Sequence, residues 1–239
     1  MSSLLESIVH LLLLLPFVVW GLRKNHDTDK KPLLYFAIVY IAINAVLHAT
    51  SNILLVDGQH WNWSGKIAAL LAGIFFVYAL PNLTPAQAAL NTRMQWHDAR
   101  PIVLLCAVYF IFRIAMYVGS GEATLALHAE TLLFQATLPG IQEELLYRGI
   151  LMGLLSAVFA YPRFTFLRVD FGLAAVITSL LFGLAHGVSI TQEFGITVNY
   201  FSLFRTCFDG LLFALLTEKT KSVIPAILYH NLLNLIGSH

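Results

Sequence analysis

Long apolar stretches separated by short polar ones set the rhythm of this chain. They run near Leu4–Leu22, Leu33–Val56, Gly65–Leu83, Pro101–Val118, Thr131–Tyr161, Phe171–Val188, Asn199–Thr217 and Ser222–Ile236. Most approach the ~20 residues that a helix needs to cross a hydrocarbon core of ~30 Å. Lipid offers no hydrogen bonds, so a spanning segment must satisfy its own backbone, and helices are the expected solution. The fifth stretch is long for one span, and Pro139-Gly140 predicts a kink or break inside it. No internal repeat, low-complexity tract or flexible linker interrupts the pattern. The expected fold class is therefore all-α: a polytopic membrane helix bundle of about eight transmembrane helices, forming one transmembrane domain over residues 1–239.

Composition agrees with this reading. The chain is 58% hydrophobic and only 11% charged, with a mean hydropathy of +0.76, which leaves almost no extramembrane domain. There is no basic cluster with interleaved aromatics, so nucleic acid is not an expected partner; the lipid bilayer is. Cys106 and Cys207 both lie in apolar runs and read as small buried hydrophobes. Leu11 to Trp20 is apolar enough for a signal-peptide core. However, Glu6 precedes it where a basic residue would belong and no small-residue cleavage pattern follows, so a retained first helix is expected.

Charge placement then predicts orientation. Ten basic residues (Arg23, Lys24, Lys30, Lys31, Arg93, Arg100, Arg163, Arg168, Lys219 and Lys221) fall in the odd-numbered loops, whereas the even-numbered loops and termini hold only Lys66. By the positive-inside rule the odd loops are cytoplasmic, and the expected product is a multi-pass integral membrane protein with both termini non-cytoplasmic. Trp20, Trp61, Trp63 and Trp96 fall near segment ends, where interfacial aromatics belong.

Within the spans, polar residues mark candidate chemistry. Glu143, Glu144 and Arg148 lie in the fifth stretch, where an unpaired charge would cost at least ~2.5–3.5 kcal/mol near mid-depth. Glu144 and Arg148 are four apart with the acid first, the favourable order for a helical ion pair. Glu143 points about 100° away on the wheel and has no local cation, so it is expected to face the chemistry while the other two brace the site. Arg113 has no local acid and must find one on another helix, or a carbonyl or water, and Arg205 has Asp209 four residues on. Phe182 and His186 share a face of the sixth span, with Gly183 and Gly187 as a small-xxx-small pair; His230 and Asn234 share a face of the eighth. Carboxylate, imidazole and amide on converging spans suit peptide hydrolysis, in which a base activates water and polar groups hold the oxyanion. No nucleophile-elbow sequence and no H-E-x-x-H helix is present. Two His and a carboxylate also form a known zinc ligand set, so Glu143, His186 and His230 are the candidate ligands if a metal is present.

Together, Glu143-Glu144-x-x-x-Arg148, Phe182-x-x-x-His186 and His230-x-x-x-Asn234 resemble the CPBP family of intramembrane proteases, which includes CAAX prenyl endopeptidases and bacteriocin-processing or immunity proteins. The resemblance covers a motif-bearing core of about residues 131–239, and the first four spans carry no signature. It implies that Glu143 and His186 activate the water, that His230 and Asn234 bind the oxyanion, and that Glu144 and Arg148 support Glu143. It leaves the cofactor open between none and one divalent, zinc-like metal. It also leaves the substrate open, since members cleave prenylated tails, leader peptides and sorting signals.

The expected function is an intramembrane endopeptidase acting on a membrane-anchored peptide or protein by activated-water attack. A non-catalytic immunity or scaffold protein is one alternative, and a small solute or proton transporter is another. Glu143, His186, His230 and Asn234 are expected around one wet cavity between spans five, six and eight, opening toward the non-cytoplasmic side.

Overall fold

The computed structural model describes residues 2–55, 59–81, 83–120, 128–191 and 193–237. Four helices, α1 (Ser2–Lys24), α2 (Lys31–Ala49), α3 (Trp63–Ala79) and α4 (Arg100–Gly119), form the first half. The expected end of the second segment at Val56 lies outside the described residues. The second half holds α5 (Ala129–Gln135), α6 (Leu138–Glu144), a π-helical turn (Leu145–Leu151), α7 (Met152–Val158), α8 (Leu173–Gly187), α9 (Tyr200–Thr220) and α10 (Ile224–Gly237). The architecture is an all-α membrane bundle. Long apolar helices at Ser3–Lys24, Lys31–Ala49, Arg100–Gly119 and Tyr200–Thr220 are each long enough to cross a bilayer, and shorter apolar ones lie at Trp63–Ala79, Leu173–Gly187 and Ile224–Ile236.

The expected fifth span is two helices. Thr137 leaves helical geometry, and α6 restarts with Pro139 in its first turn, where a missing N–H costs nothing. Asn231 of α10 braces this break: its Oδ1 accepts from Gly140 N at 2.9 Å, and its Nδ2 donates to the Thr137 carbonyl at 3.1 Å. Gly140 is required there, because a Cβ would fall 2.2 Å from Asn231 Oδ1. From Leu138 to Val158 the chain then stays helical, widening into the π turn after Glu144. Such a turn shifts the register of side chains and often marks a functional site.

Two short antiparallel hairpins were not anticipated: β1 (Arg163–Phe166) with β2 (Val169–Gly172), and β3 (Val188–Ile190) with β4 (Ile196–Val198). Both are too short to show a period in the sequence. The first hairpin follows α7, and the chain before it is tied to the end of α1 by Asn25, which donates to the Gly21 and Tyr161 carbonyls and accepts from Tyr161 N.

The glycine pairs do what small residues do between spans, though not always against a helix. A Cβ on Gly183 would meet Cys207 Sγ at 2.0 Å, and one on Gly187 would meet Leu203 Cβ at 2.5 Å, so α8 and α9 pack backbone to backbone. Gly149 and Gly153 instead admit the loop before α4: their Cβ atoms would lie 3.1 Å from the Ala88 carbonyl and 2.7 Å from the Gln87 carbonyl. That loop is pinned to the α9–α10 junction by Val223 N donating to Ala89 O and Gln95 N donating to Thr220 O. The described cysteines, Cys106 and Cys207, are both free.

Candidate active site

The two adjacent acids end up in different surroundings. Glu144 is fully buried and accepts from Arg148 Nη1 at 3.2 Å, the expected pair across one helical turn. Arg148 is also fully buried; its Nη2 donates to the Gly210 carbonyl of α9 at 2.8 Å. Its guanidinium lies over the rings of Phe182, Phe213 and Tyr147, at 4.6, 5.2 and 5.5 Å. A desolvated cation surrounded in this way gains from the ring faces as well as from the carboxylate.

His230 joins the pair from α10. Its Nδ1 lies 2.7 Å from Glu144 Oε1, and its ring stacks on Phe213 at 4.8 Å. Glu144 thus ties three elements together: its own helix α6, the π turn through Arg148, and α10.

Glu143, one residue earlier, faces a cavity. Its cation is not local but comes from another helix: Lys66 Nζ pairs with Glu143 Oε1 and donates to Gln142 Oε1 at 2.9 Å. Lys66 sits in the first turns of α3 and is not the loop cation assumed in the charge count. No motif could have flagged it. The usable signal was that a carboxylate in lipid needs a partner and that Lys66 is the one cation in the first three apolar segments. Glu143 Oε2 is buried without a hydrogen-bond partner among the described residues, and it lies 3.8 Å from both His186 Nε2 and His230 Nε2.

The ring orientations follow from what each other nitrogen touches. His186 Nδ1 lies 2.8 Å from the Phe182 carbonyl, which can only accept, so Nδ1 carries the hydrogen. His230 Nδ1 faces a carboxylate paired with Arg148 and donates in the same way. When the rings are neutral, both Nε2 atoms are acceptors. Two acceptor nitrogens, His186 Nε2 and His230 Nε2, therefore face Glu143 Oε2. At 3.8 Å they are too far apart for direct bonds and suitably spaced for a shared water.

The same donor types would suit a zinc-like ion, for which Glu143, His186 and His230 would be the ligands. Among the described residues no group of three or more His, Cys, Asp or Glu is placed to hold a metal ion, and the Lys66 ammonium already occupies one oxygen of Glu143.

The cavity beside Glu143 has a volume of about 170 Å³. It does not lie where expected, between spans five, six and eight. Glu143 and His186 form one wall, and Glu6, His10, Tyr40 and Lys66 of the first three helices form the other. Among the described residues, neither His230 nor Asn234 lines it. His230 reaches Glu143 from behind, and Asn234 lies one turn further along α10, half-buried. The far wall is itself ordered. His10 Nε2 donates to the Val188 carbonyl at 3.0 Å, the Tyr40 hydroxyl lies 2.9 Å from His10 Nδ1, and Glu6 Oε1 accepts from Ile190 N at 2.8 Å.

The remaining intramembrane charges also find partners. Arg113 reaches Asp209 across the α4–α9 contact at 3.2 Å, while Arg205, the expected partner of Asp209, stands at 3.8 Å.

Comparison with known proteins adds one finding. Residues 125–236, just under half of the chain, match the family model described as type II CAAX prenyl endopeptidase Rce1-like. No curated protein and no solved structure matches the chain. The matched region contains Glu143, Glu144, Arg148, His186, His230 and Asn234, and it spans the elements that bring the acids and imidazoles together. Over that region the chain is similar to the type II CAAX prenyl endopeptidases, a family of intramembrane proteases.

Proposed function

We propose that this protein cleaves a peptide bond in a membrane-associated peptide or protein, with Glu143 as the general base. The observation that carries the proposal is the convergence at Glu143. One oxygen is held by Lys66, and the other is buried, without a hydrogen-bond partner among the described residues, and faces two imidazole nitrogens. A water held there passes a proton to Glu143 Oε2 as its oxygen bonds to the scissile carbonyl carbon. The carbonyl oxygen then carries the negative charge. Collapse of that intermediate breaks the C–N bond, and the proton taken by Glu143 goes to the leaving amine. His186 orients the water with Glu143, and Asn234 is assigned to the oxyanion; His230, whose Nε2 accepts, lies beside the water instead. Glu144 and Arg148 fix His230 and the helix that carries Glu143. No step requires a metal ion.

We further propose that the site opens away from the cytoplasm. The cavity lies at the end of the bundle where α1 and α3 begin and α2 and α8 finish, since its lining includes Glu6, His48, Lys66 and His186. The ten loop cations lie at the other ends of these helices, at the start of α4 and at the end of α9, and moving Lys66 into α3 leaves none opposing them.

The test is cleavage of a panel of membrane-anchored peptides by purified full-length protein in liposomes, compared with Glu143→Gln and with chelator present. Wild-type cleavage that survives chelation and vanishes in the variant supports the proposal. Equal cleavage by both proteins, or none by either across the panel, overturns it. Cysteines placed in the Arg163–Phe166 strand should label only from the cytoplasmic face.

A further inference from the structure

Among the described residues, the groove between α4 and α9 holds two guanidiniums and one carboxylate. Arg113 of α4 and Arg205 of α9 share one carboxylate, Asp209, at 3.2 and 3.8 Å. Arg113 is well covered at 12% side-chain exposure, whereas Arg205 is 33% exposed to the groove. Among the described residues Asp209 is the only acid within ion-pair distance of either arginine. Among the described residues the groove therefore keeps about one uncompensated positive charge, in a setting where an unpaired cation is costly.

The walls around the two guanidiniums are apolar and aromatic. Tyr109, Phe112, Phe204 and Phe208 line the groove, which has a volume of about 850 Å³. Phe112, Phe204 and neighbouring Phe201 are exposed by 55, 68 and 75%, so this face meets lipid. Arg113 lies six residues before the end of α4 and Arg205 five residues after the start of α9. At ~1.5 Å per residue, both are roughly 8–9 Å below the same end of the bundle. Long basic side chains at that depth extend toward the headgroup layer.

We infer that this groove binds an anionic phospholipid, with its phosphate held by Arg113 and Arg205 and its acyl chains lying along the aromatic wall. The phosphate supplies the second anion that two guanidiniums sharing one carboxylate require, and guanidinium suits bidentate phosphate contact. The occupant's chains fit an apolar, membrane-facing wall that a free phosphate would not use. The groove also adjoins the brace of the candidate active site. Asp209 is followed by Gly210, whose carbonyl accepts from Arg148.

The experiment uses full-length protein in vesicles of equal parts phosphatidylglycerol and phosphatidylcholine, with lipid retained after gentle extraction read by native mass spectrometry. Wild type should favour the anionic lipid by roughly five-fold, the factor that ~1 kcal/mol per basic group near an anionic surface converts to. Arg205→Gln should bring the ratio near one, Arg205→Lys should restore most of it, and Arg168→Gln, at the opposite end, should leave it unchanged. Equal retention of the two lipids by wild type, or the same loss in Arg168→Gln as in Arg205→Gln, overturns the inference. An independent reading places tryptophan in the groove as Phe204→Trp. Its fluorescence should be quenched more by brominated phosphatidylglycerol than by brominated phosphatidylcholine, and equal quenching overturns the inference even if Arg205→Gln fails to fold.

Discussion

The two halves of the chain contribute to the candidate site in opposite ways. The second half, from α6 to α10, supplies side chains at helical spacing, and these meet one another: Glu144 bonds Arg148 and His230, and Glu143 lies 3.8 Å from both imidazoles. The first half supplies no repeated spacing, yet it provides Lys66 and the far wall of the cavity. Motif residues must hold fixed positions relative to the reacting atoms. Wall residues need only present polarity and volume, which many sequences can do. On the proposed function the second half thus carries the chemistry, and the first half carries the setting that makes one carboxylate differ from its neighbour.

The sharpest way to break that division is at Glu143. Glu143→Gln should leave a folded protein whose proteolysis falls by ~10²–10⁴-fold, the usual worth of a positioned general base. The measurement is turnover of a membrane-anchored peptide alongside a thermal melt. If Glu143→Gln stayed active while Glu144→Gln did not, the roles of the two acids would be exchanged.

Arg148 should show the opposite profile. Arg148→Ala removes the guanidinium from a fully buried pair and leaves Glu144 uncompensated, at an expected cost of about 3–5 kcal/mol. The protein should melt at much lower temperature or fail to accumulate, and loss of activity should track loss of folded protein. A variant of normal stability would mean that Glu144 finds its compensation in His230 alone.

Lys66 tests whether the first half does more than fill space. Lys66→Met should cut turnover by roughly ten-fold, because Glu143 then loses the partner holding Oε1, and one charge-assisted hydrogen bond is worth ~1.5–3 kcal/mol. Lys66→Arg should recover part of the rate. Unchanged turnover in Lys66→Met would reduce the first half to scaffold.

The smallest expected effect is at Asn231. Asn231→Ala should destabilise the protein by ~1 kcal/mol, the usual cost of losing a helix-end cap, by releasing Gly140 N and the Thr137 carbonyl. It should lower the melting temperature by a few degrees while slowing turnover less than Lys66→Met does.

Much of the bundle was legible without coordinates, because lipid imposes a rule that composition reveals. Apolar runs of spanning length must become helices, and helical spacing then shows which residues share a face. That rule yielded the apolar segments, the Glu144–Arg148 pair and the α8 glycines. Spacing within one helix is a local property, so those inferences needed no knowledge of neighbours.

Tertiary structure decided the rest. The partner of Glu143 lies on α3, 77 residues earlier, and no period connects Lys66 to it. Asn231 points away from the His230 face, yet it braces the break before α6 because another chain segment happens to pass there. The cavity opened on the α1–α3 side rather than toward α10 because His230 is drawn behind Glu143 by Glu144. A helix wheel fixes angles about one axis only. Which neighbour fills each angle depends on how all the helices pack, and packing is a property of the whole bundle.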